Sequence, residues 1–291
     1  MELPLVVGVD GSESSLQALD WSVDEAARHG VPLRLVYASK WEHYEGVARA
    51  GSLGRPNEQV FAENIVGSAA ERAGRRNADV KVSAEVLTDD PVAALLRESR
   101  KASAVVTGSR GRGELRGLLL GSVGLAVAAK AHCPVIVVRG DRAALRSTHG
   151  RILLGVADTA GGQAAVTFAL REAETRGCTV EAVRAWHRPA HETTDHPMSA
   201  GDPARYHKER AATLLDQALG EFVRDNLAVQ VHRTTVEGPA HKALVQRSAA
   251  ADLLVVGAQR RQGHFGLQLG RVAHAVLHHA DCPVAVVPQP V

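Results

Sequence analysis

Apolar residues in the first half of the chain form short continuous runs separated by longer stretches of mixed character. The run LPLVVGVD at 3–10 is followed by a stretch in which apolar residues recur three or four positions apart, at Leu16, Leu19, Val23 and Ala26. A short continuous run is consistent with a buried strand, whereas the wider spacing is typical of one face of a helix. The opening of the chain therefore predicts a strand followed by an amphipathic helix.

The same alternation continues to about residue 139. It predicts strands at 31–38, 81–87, 103–108 and 134–139, and helices at 57–76, after Asp90-Pro91 and at 122–132. Asp90 before Pro91 is a favourable helix start, because Asp caps the free backbone N–H groups and Pro fits the first turn. Strands that are rich in Val, Ile and Leu and alternate with helices form parallel sheets covered on both faces. The predicted fold class is therefore α/β, with a five-stranded doubly wound sheet and a ligand site beyond the carboxyl ends of its strands.

The second half of the chain repeats the first. Three segments recur in the same order at offsets of 147 to 149 residues: 5–10 at 152–157, 105–108 at 254–257, and 133–138 at 282–287. A repeat of this length predicts two copies of one domain. We therefore expect two tandem doubly wound domains, at 1–142 and 149–291, joined by a short charged and polar segment.

The composition is that of a soluble globular protein, with 45% hydrophobic and 23% charged residues among 291. The net charge is only +2 and the charges are interleaved, so neither nucleic acid nor an anionic membrane is expected as a partner. No apolar stretch reaches the roughly 20 residues of a membrane-spanning helix, and the N-terminus lacks the basic region of a signal peptide. We expect a cytosolic protein. Its cysteines, Cys133, Cys178 and Cys282, include no CxxC pair and are expected to be reduced thiols.

Glycines and arginines cluster after the fourth predicted strand, in the segment VVTGSRGRGELRGLLLGS at 105–122. The cluster includes Gly108, Arg110, Gly111, Arg112, Gly113, Gly121 and Ser122. Glycine lets the backbone approach a ligand, so that successive N–H groups can surround an anion. The helix that opens at Gly121-Ser122 adds the positive end of its dipole, and Ser122 can bond a phosphate or cap the helix. With arginines as countercharge, the segment predicts a polyphosphate site.

The common nucleotide loops are absent. The chain contains no GxxxxGK[ST], and the turn after the first strand reads GVDGSESS instead of GxGxxG. No Ser/His/Asp order, acid pair or lysine near the glycine cluster suggests reactive machinery. A response-regulator-like receiver would use acidic strand ends such as Asp10 and Asp89, but it predicts a lysine where this chain has Arg139. It also leaves the glycine cluster unexplained.

The spacing G-x2-G-x9-G-S, together with VGVDGSESSLQAL at the start and HCPVIVVR at the end of the first copy, resembles the universal stress protein family. The resemblance covers essentially the whole chain and fits the tandem two-domain members. It implies the family's adenine-nucleotide α-hydrolase-like fold, in which domains pair through their last strands, within a chain or in a homodimer. In the family this motif marks the members that bind ATP.

The resemblance implies that the adenosine end of the pocket is formed by residues at the ends of the first two strands, and the phosphate end by the glycine cluster. The adenosine end comprises Gly8, Val9, Asp10 and Ala38. The phosphate end comprises Gly108, Arg110, Gly111, Arg112, Gly113, Gly121, Ser122 and Val123. The function implied is that of an ATP-binding regulator in a stress response, with Mg²⁺ carried on the phosphates and an unknown regulatory protein partner. The alternative is a slow ATPase or a nucleotidyl-transfer enzyme, although neither HIGH nor KMSKS occurs.

The second copy departs from this pattern. Arg260 replaces the second motif glycine, Arg271 replaces the motif serine, and Ala157 replaces the first-strand aspartate. Arginine adopts strained backbone conformations less readily than glycine. We therefore expect one nucleotide per chain, in the first copy. His274 and His278 have the i, i+4 spacing of two metal ligands, but no HExxH accompanies them and a metal site is not expected.

Overall fold

The computed structural model describes residues 2–39, 57–110, 120–157, 162–187, 203–225, 228–258 and 269–289. The chain divides into two compact units, the first extending to Arg139 and the second beginning at Gly140. Each unit alternates strands with helices. Among the described residues, no helix is long and apolar enough to cross a membrane, and none of the three cysteines is in a disulfide.

The first unit contains five strands among its described residues. The elements, in chain order, are β1 Leu5–Gly8, α1 Glu13–His29, β2 Leu33–Ala38, α2 Asn57–Arg76, β3 Val82–Leu87, α3 Pro91–Glu98, a 3₁₀ turn Ser99–Lys101, β4 Ala104–Gly108, α4 Ser122–Lys130 and β5 Val135–Val138. The strands are parallel and lie in the order β3-β2-β1-β4-β5. Their apolar side chains form the core, with Val6, Val7, Val105 and Val106 completely buried.

The second unit repeats this plan. Its elements are α5 Arg142–Leu145, β6 Arg151–Gly155, α6 Gln163–Arg176, β7 Thr179–Trp186, α7 Pro203–Asp225, β8 Val231–Glu237, α8 Ala240–Ser248, β9 Leu253–Ala258, α9 Arg271–His279 and β10 Val284–Pro288. These strands are also parallel and lie in the order β8-β7-β6-β9-β10. The predicted α/β fold of tandem doubly wound domains is confirmed.

Local sequence signals set the ends of several helices. Ser12 is the N-cap of α1 and accepts a hydrogen bond from the Ser15 N–H, and Gly30 ends the helix with a φ of 67°. A positive φ at a helix end favours glycine, because it has no Cβ to clash. Asp90 caps α3 by accepting from the N–H groups of Val92 and Ala93, with Pro91 as the first helical residue. The helix start predicted at Asp90-Pro91 is therefore confirmed.

The segment between the repeats contains an element that the sequence did not predict. Asp141 accepts a hydrogen bond from the Ala144 N–H at 2.9 Å and so starts the one-turn helix α5. Four residues are too few to show a helical period, which is why the pattern indicated only a charged and polar connection.

The order of strands determines where a ligand site can form. From β1 the chain builds outward to β2 and β3 on one side, and it then returns to place β4 and β5 on the other side. The neighbours β1 and β4 therefore flank the point at which the direction of winding reverses. In open α/β sheets, ligands bind beyond the carboxyl ends of the strands at this point. Asp10 follows β1 and the glycine cluster follows β4, so both emerge there.

Candidate functional site

Asp10 shapes the turn that leads from β1 into α1. Its Oδ1 accepts two hydrogen bonds from Ser12, one from the backbone N–H at 2.9 Å and one from the hydroxyl at 2.6 Å. Gly11 between them has a φ of 79°, a conformation that glycine adopts without strain. Both bonds end on the same carboxylate oxygen. The carboxylate is thus oriented by the start of α1 at the carboxyl edge of the sheet.

The other predicted residues of the adenosine end lie beside Asp10. Val9 is buried and donates its N–H to the Val36 carbonyl of β2 at 2.9 Å. Gly8 is half-buried, and a Cβ at this position would lie 3.2 Å from a methyl group of Leu95 in α3. Ala38 is half-buried at the end of β2. Residues 8 to 10 and Ala38 therefore border the same edge of two paired strands.

Gly108 at the end of β4 packs directly against the first turn of α1. A Cβ on Gly108 would lie 2.6 Å from the Ser14 carbonyl oxygen and 2.7 Å from its Oγ, distances that no real Cβ tolerates. Glycine is therefore required here for the close approach of helix and strand. This packing role adds to the ligand approach that the motif predicts for Gly108.

The two residues after Gly108 have every backbone polar group bonded. The Ser109 N–H donates to the Val138 carbonyl of β5 at 3.1 Å, and its carbonyl accepts from the Gly121 N–H at 2.9 Å. The Arg110 N–H donates to Ser14 Oγ at 3.2 Å, while the same hydroxyl donates to the Arg110 carbonyl. The backbone that enters the glycine cluster is thus attached to three separate elements. The arginine itself is exposed.

Ser14 is not among the site residues that the sequence predicts. A serine in the first turn of a helix, two residues after the cap, has the pattern of a residue that supports helix initiation. Its partner Arg110 lies 96 residues away. No local signal in the sequence could connect the two.

The N-terminus of α4 differs in one respect from the prediction. Gly121 is the N-cap, with no side-chain hydrogen bond, and Ser122 is the first helical residue and is exposed. Capping by Ser122 is therefore wrong, because the helix begins at Ser122 itself, one residue earlier than a serine cap requires. Since Gly121 donates its N–H to Ser109, the N–H groups of Ser122 and Val123 are the next donors along the helix start. They lie at the positive end of the helix dipole.

A buried hydroxyl lies under this helix start. Thr107 is 5% exposed, and its Oγ1 would lie 3.1 Å from a Cβ on Gly124. Within the part of the chain that the structure describes, this Oγ1 has no hydrogen-bond partner. A buried polar atom without a partner costs about 1–3 kcal/mol. The corresponding residue of the second unit is Val256, which has the same shape without the hydroxyl. Among the described residues, the first unit therefore carries an unsatisfied hydroxyl beside the start of α4, at a position where the second unit has only methyl groups.

Three predicted residues, Gly111, Arg112 and Gly113, lie outside the described residues. Their assignment therefore rests on the sequence motif. The residues on both sides of them, Arg110 and Gly121, are linked through Ser109, which precedes Arg110 and accepts a hydrogen bond from the Gly121 N–H.

The equivalent edge of the second unit has different chemistry. Ala157 stands where the first unit has Asp10, and its carbonyl accepts a hydrogen bond at 3.0 Å from Arg184, a buried residue of β7. Burial lowers the pKa of Arg184, because desolvation disfavours its charged form. Arg271 is the first residue of α9. Arg260 lies outside the described residues.

Asp89, the second acidic residue that a receiver domain would use, is bonded to residues of its own helix start. Asp89 accepts a hydrogen bond from the Asp90 N–H at 2.7 Å and forms an ion pair with Arg97 at 2.6 Å. Both contacts belong to the start of α3. Asp89 therefore helps to organise this helix.

Sequence comparison identifies relatives along the whole chain. The sequence model described as the universal stress protein family matches residues 3–139 and 148–288. Universal stress protein Rv2005c of Mycobacterium tuberculosis is 34% identical over 292 residues, which cover 98% of this chain and 97% of that protein.

Structure comparison gives the same fold. The crystal structure of a universal stress protein from Archaeoglobus fulgidus aligns with a TM-score of 0.70 at 20% identity, covering 99% of this chain and 98% of that one. A further universal stress protein, whose structure was determined in complex with cAMP, is 30% identical over 47% of this chain and 95% of its own, with a TM-score of 0.36.

Proposed function

This chain belongs to the universal stress protein family, and we propose that its first unit binds an adenine nucleotide, ATP, at the carboxyl ends of β1 and β4. The observation that carries this proposal is the set of backbone hydrogen bonds made by Ser109 and Arg110. These bonds hold the two ends of the glycine cluster together beside a helix start that no described side chain caps. Such an arrangement presents backbone N–H groups to an anion.

The phosphates would lie at the start of α4. The N–H groups of Ser122 and Val123 and the Ser122 hydroxyl supply donors there, and Gly111 and Gly113 allow the backbone to approach. Arg110 is exposed next to this edge and can supply countercharge, as can Arg112. The residues present thus suit a polyphosphate.

The adenosine would lie toward β2. Asp10 is held by Ser12 in a fixed orientation, so its carboxylate can accept hydrogen bonds from ribose hydroxyls without a further ordering cost. The edge formed by Gly8, Val9 and Ala38 offers small or apolar surface to the base. This division between a polar and an apolar end supports a nucleotide over a simple phosphate.

Mg²⁺ would arrive with the nucleotide. It prefers oxygen ligands and usually keeps several water molecules, with few contacts to protein. Asp10 and Ser122 are the residues whose side-chain oxygens we propose as protein ligands of this ion. They suit an ion that is held mainly by the phosphates.

The proposed role of the nucleotide is regulation. A ligand shifts a conformational or assembly equilibrium by as much as its affinities for the two states differ. ATP would in this way change how the chain engages a regulatory protein partner or a second copy of itself. Comparing phosphate release with assembly state, with and without ATP, tests this role, because turnover on the order of 1 s⁻¹ would indicate an enzyme.

The second unit is proposed to bind no nucleotide. It lacks the first-strand carboxylate, and at the start of α9 it has Arg271 in place of the hydroxyl of Ser122. Val256 replaces the unsatisfied Thr107. These differences support one nucleotide per chain.

A charge placed at the helix start tests the phosphate site. Ser122→Asp puts a carboxylate at the first position of α4, where it favours the helix dipole and should preserve the fold. At about 5 Å from a phosphate it would repel the ligand by about 3 kcal/mol at an effective dielectric constant of about 20. We expect calorimetric titration to give an ATP affinity reduced at least tenfold, even with screening by salt.

The matched control is Ser103→Asp, which introduces the same charge at an exposed position next to the amino end of β4. Its ATP affinity should equal that of the wild type. Equal affinities in all three proteins would refute the phosphate site at α4, and an absence of ATP binding by the wild type would refute the proposed function.

A further inference from the structure

The first turn of α1 and the entrance of the glycine cluster are joined by one side chain. Ser14 Oγ accepts a hydrogen bond from the Arg110 N–H at 3.2 Å and donates one to the Arg110 carbonyl. A single hydroxyl can make both bonds, since it has one hydrogen and two lone pairs. Arg110 lies between the first two glycines of the motif, so this contact sets the backbone at the point where the cluster begins.

The other bonds at this entrance do not involve Arg110. Ser109 is bonded to Val138 of β5 and to Gly121. Both backbone hydrogen bonds that the described residues make with Arg110 come from Ser14. Removal of the Ser14 hydroxyl would therefore leave Ser109 bonded to β5 and to the start of α4. It would release the Arg110 backbone from α1.

The second unit has lost this hydroxyl. The glycine that ends the first helix of each unit lies at 30 and 177, an offset of 147 residues. The same offset places Gly161 in correspondence with Ser14. In the second unit a buried glutamine instead lies against the strand-end glycine, with Gln289 Nε2 at 2.6 Å from the position of a Cβ on Gly257. The two units thus cover equivalent glycines differently, and the first unit alone has a hydroxyl at this position.

We propose that Ser14 is a positioning residue for nucleotide binding, an inference that rests on the proposed function of the first unit. Its hydroxyl holds the Arg110 backbone in the conformation that receives the ligand. Without the hydroxyl, the ligand must order the Arg110 backbone on binding, and this ordering cost reduces the affinity. The replacement of this serine by glycine in the second unit is a further reason for one nucleotide per chain.

The test compares ATP affinity by calorimetric titration in full-length variants. Ser14→Ala should reduce the affinity about tenfold, and Ser14→Thr, which keeps the hydroxyl, should restore it. The matched control is Ser103→Ala, since Ser103 Oγ donates to the Pro4 carbonyl at 3.1 Å at the opposite end of β4. It removes the same kind of bond and should leave ATP affinity unchanged. If Ser14→Ala does not fold, Ser14→Cys, which keeps the size and weakens the donor, replaces it.

A second measurement follows the contact itself. Amide hydrogen exchange at Arg110 should accelerate in ligand-free Ser14→Ala and remain unchanged in Ser103→Ala. Wild-type affinity in Ser14→Ala would overturn the positioning role while leaving the proposed function intact. An equal loss in Ser14→Ala and Ser103→Ala would also overturn it, because the effect would then be general destabilisation. A wild-type protein that binds no ATP would overturn both proposals.

Discussion

Gly108→Ala should destabilise the first unit far more than the equivalent Gly257→Ala destabilises the second. In the first unit the new methyl group would lie 2.6 Å from the carbonyl oxygen and 2.7 Å from the carbonyl carbon of Ser14. These are backbone atoms of α1, so the whole helix start must move. In the second unit the methyl group would meet Nε2 of Gln289, the far end of a flexible side chain that can rotate away.

The size of the stability loss depends on whether backbone or side-chain atoms must move. Overpacking a core costs about 1–3 kcal/mol, and replacing glycine by alanine where the backbone permits it returns about 0.4–1 kcal/mol. We expect a net loss of about 2 kcal/mol for Gly108→Ala and less than about 1 kcal/mol for Gly257→Ala. At roughly 2–4 °C per kcal/mol, the first change lowers the melting temperature of its unit by about 4–8 °C.

Differential scanning calorimetry of the full chain measures both variants against the wild type, with the transitions of the two units fitted separately. Equal shifts in the two variants would refute the distinction between a backbone obstacle and a movable side chain. A larger effect of Gly257→Ala would show that Gln289 cannot leave its position.

Two further predictions concern buried groups. Thr107→Val should raise the free energy of unfolding by about 1 kcal/mol, because it removes a hydroxyl that has no partner among the described residues. Val256→Thr should lower the free energy of unfolding by a similar amount. Urea unfolding measures both variants, and a less stable Thr107→Val would contradict the unpaired state. Burial raises the pKa of the Cys133 thiol to about 12. The free energy that the buried, protonated thiol contributes to folding is therefore fully present below the unfolded-chain pKa of about 8.5, and it is lost as the pH rises towards 12. At pH 8 the folded protein should therefore leave Cys133 unmodified by a thiol reagent, as mass spectrometry would detect, and rapid labelling would contradict its burial.

The sequence alone determined the features that depend on neighbouring residues. The alternation of apolar runs and amphipathic stretches predicted the strands and helices, and the helix start at Asp90-Pro91 was readable because the cap and the first turn are adjacent in the chain. The repeat predicted the duplication, and the spacing of Gly108, Gly111 and Gly121 indicated an anion-binding segment. These signals are local, or they are repeated in the sequence itself.

Tertiary structure decided which groups the protein uses for its own contacts. Ser14 bonds Arg110 across 96 residues, Gly108 is required by the approach of α1, and Gly121 uses its own N–H to hold Ser109. Thr107 and Val256 occupy equivalent strand positions. That the Thr107 hydroxyl has no partner in the described part of the chain becomes evident only once the helix above it is in place. These properties depend on distances between elements far apart in the chain, and such distances are set by how the helices pack on the sheet.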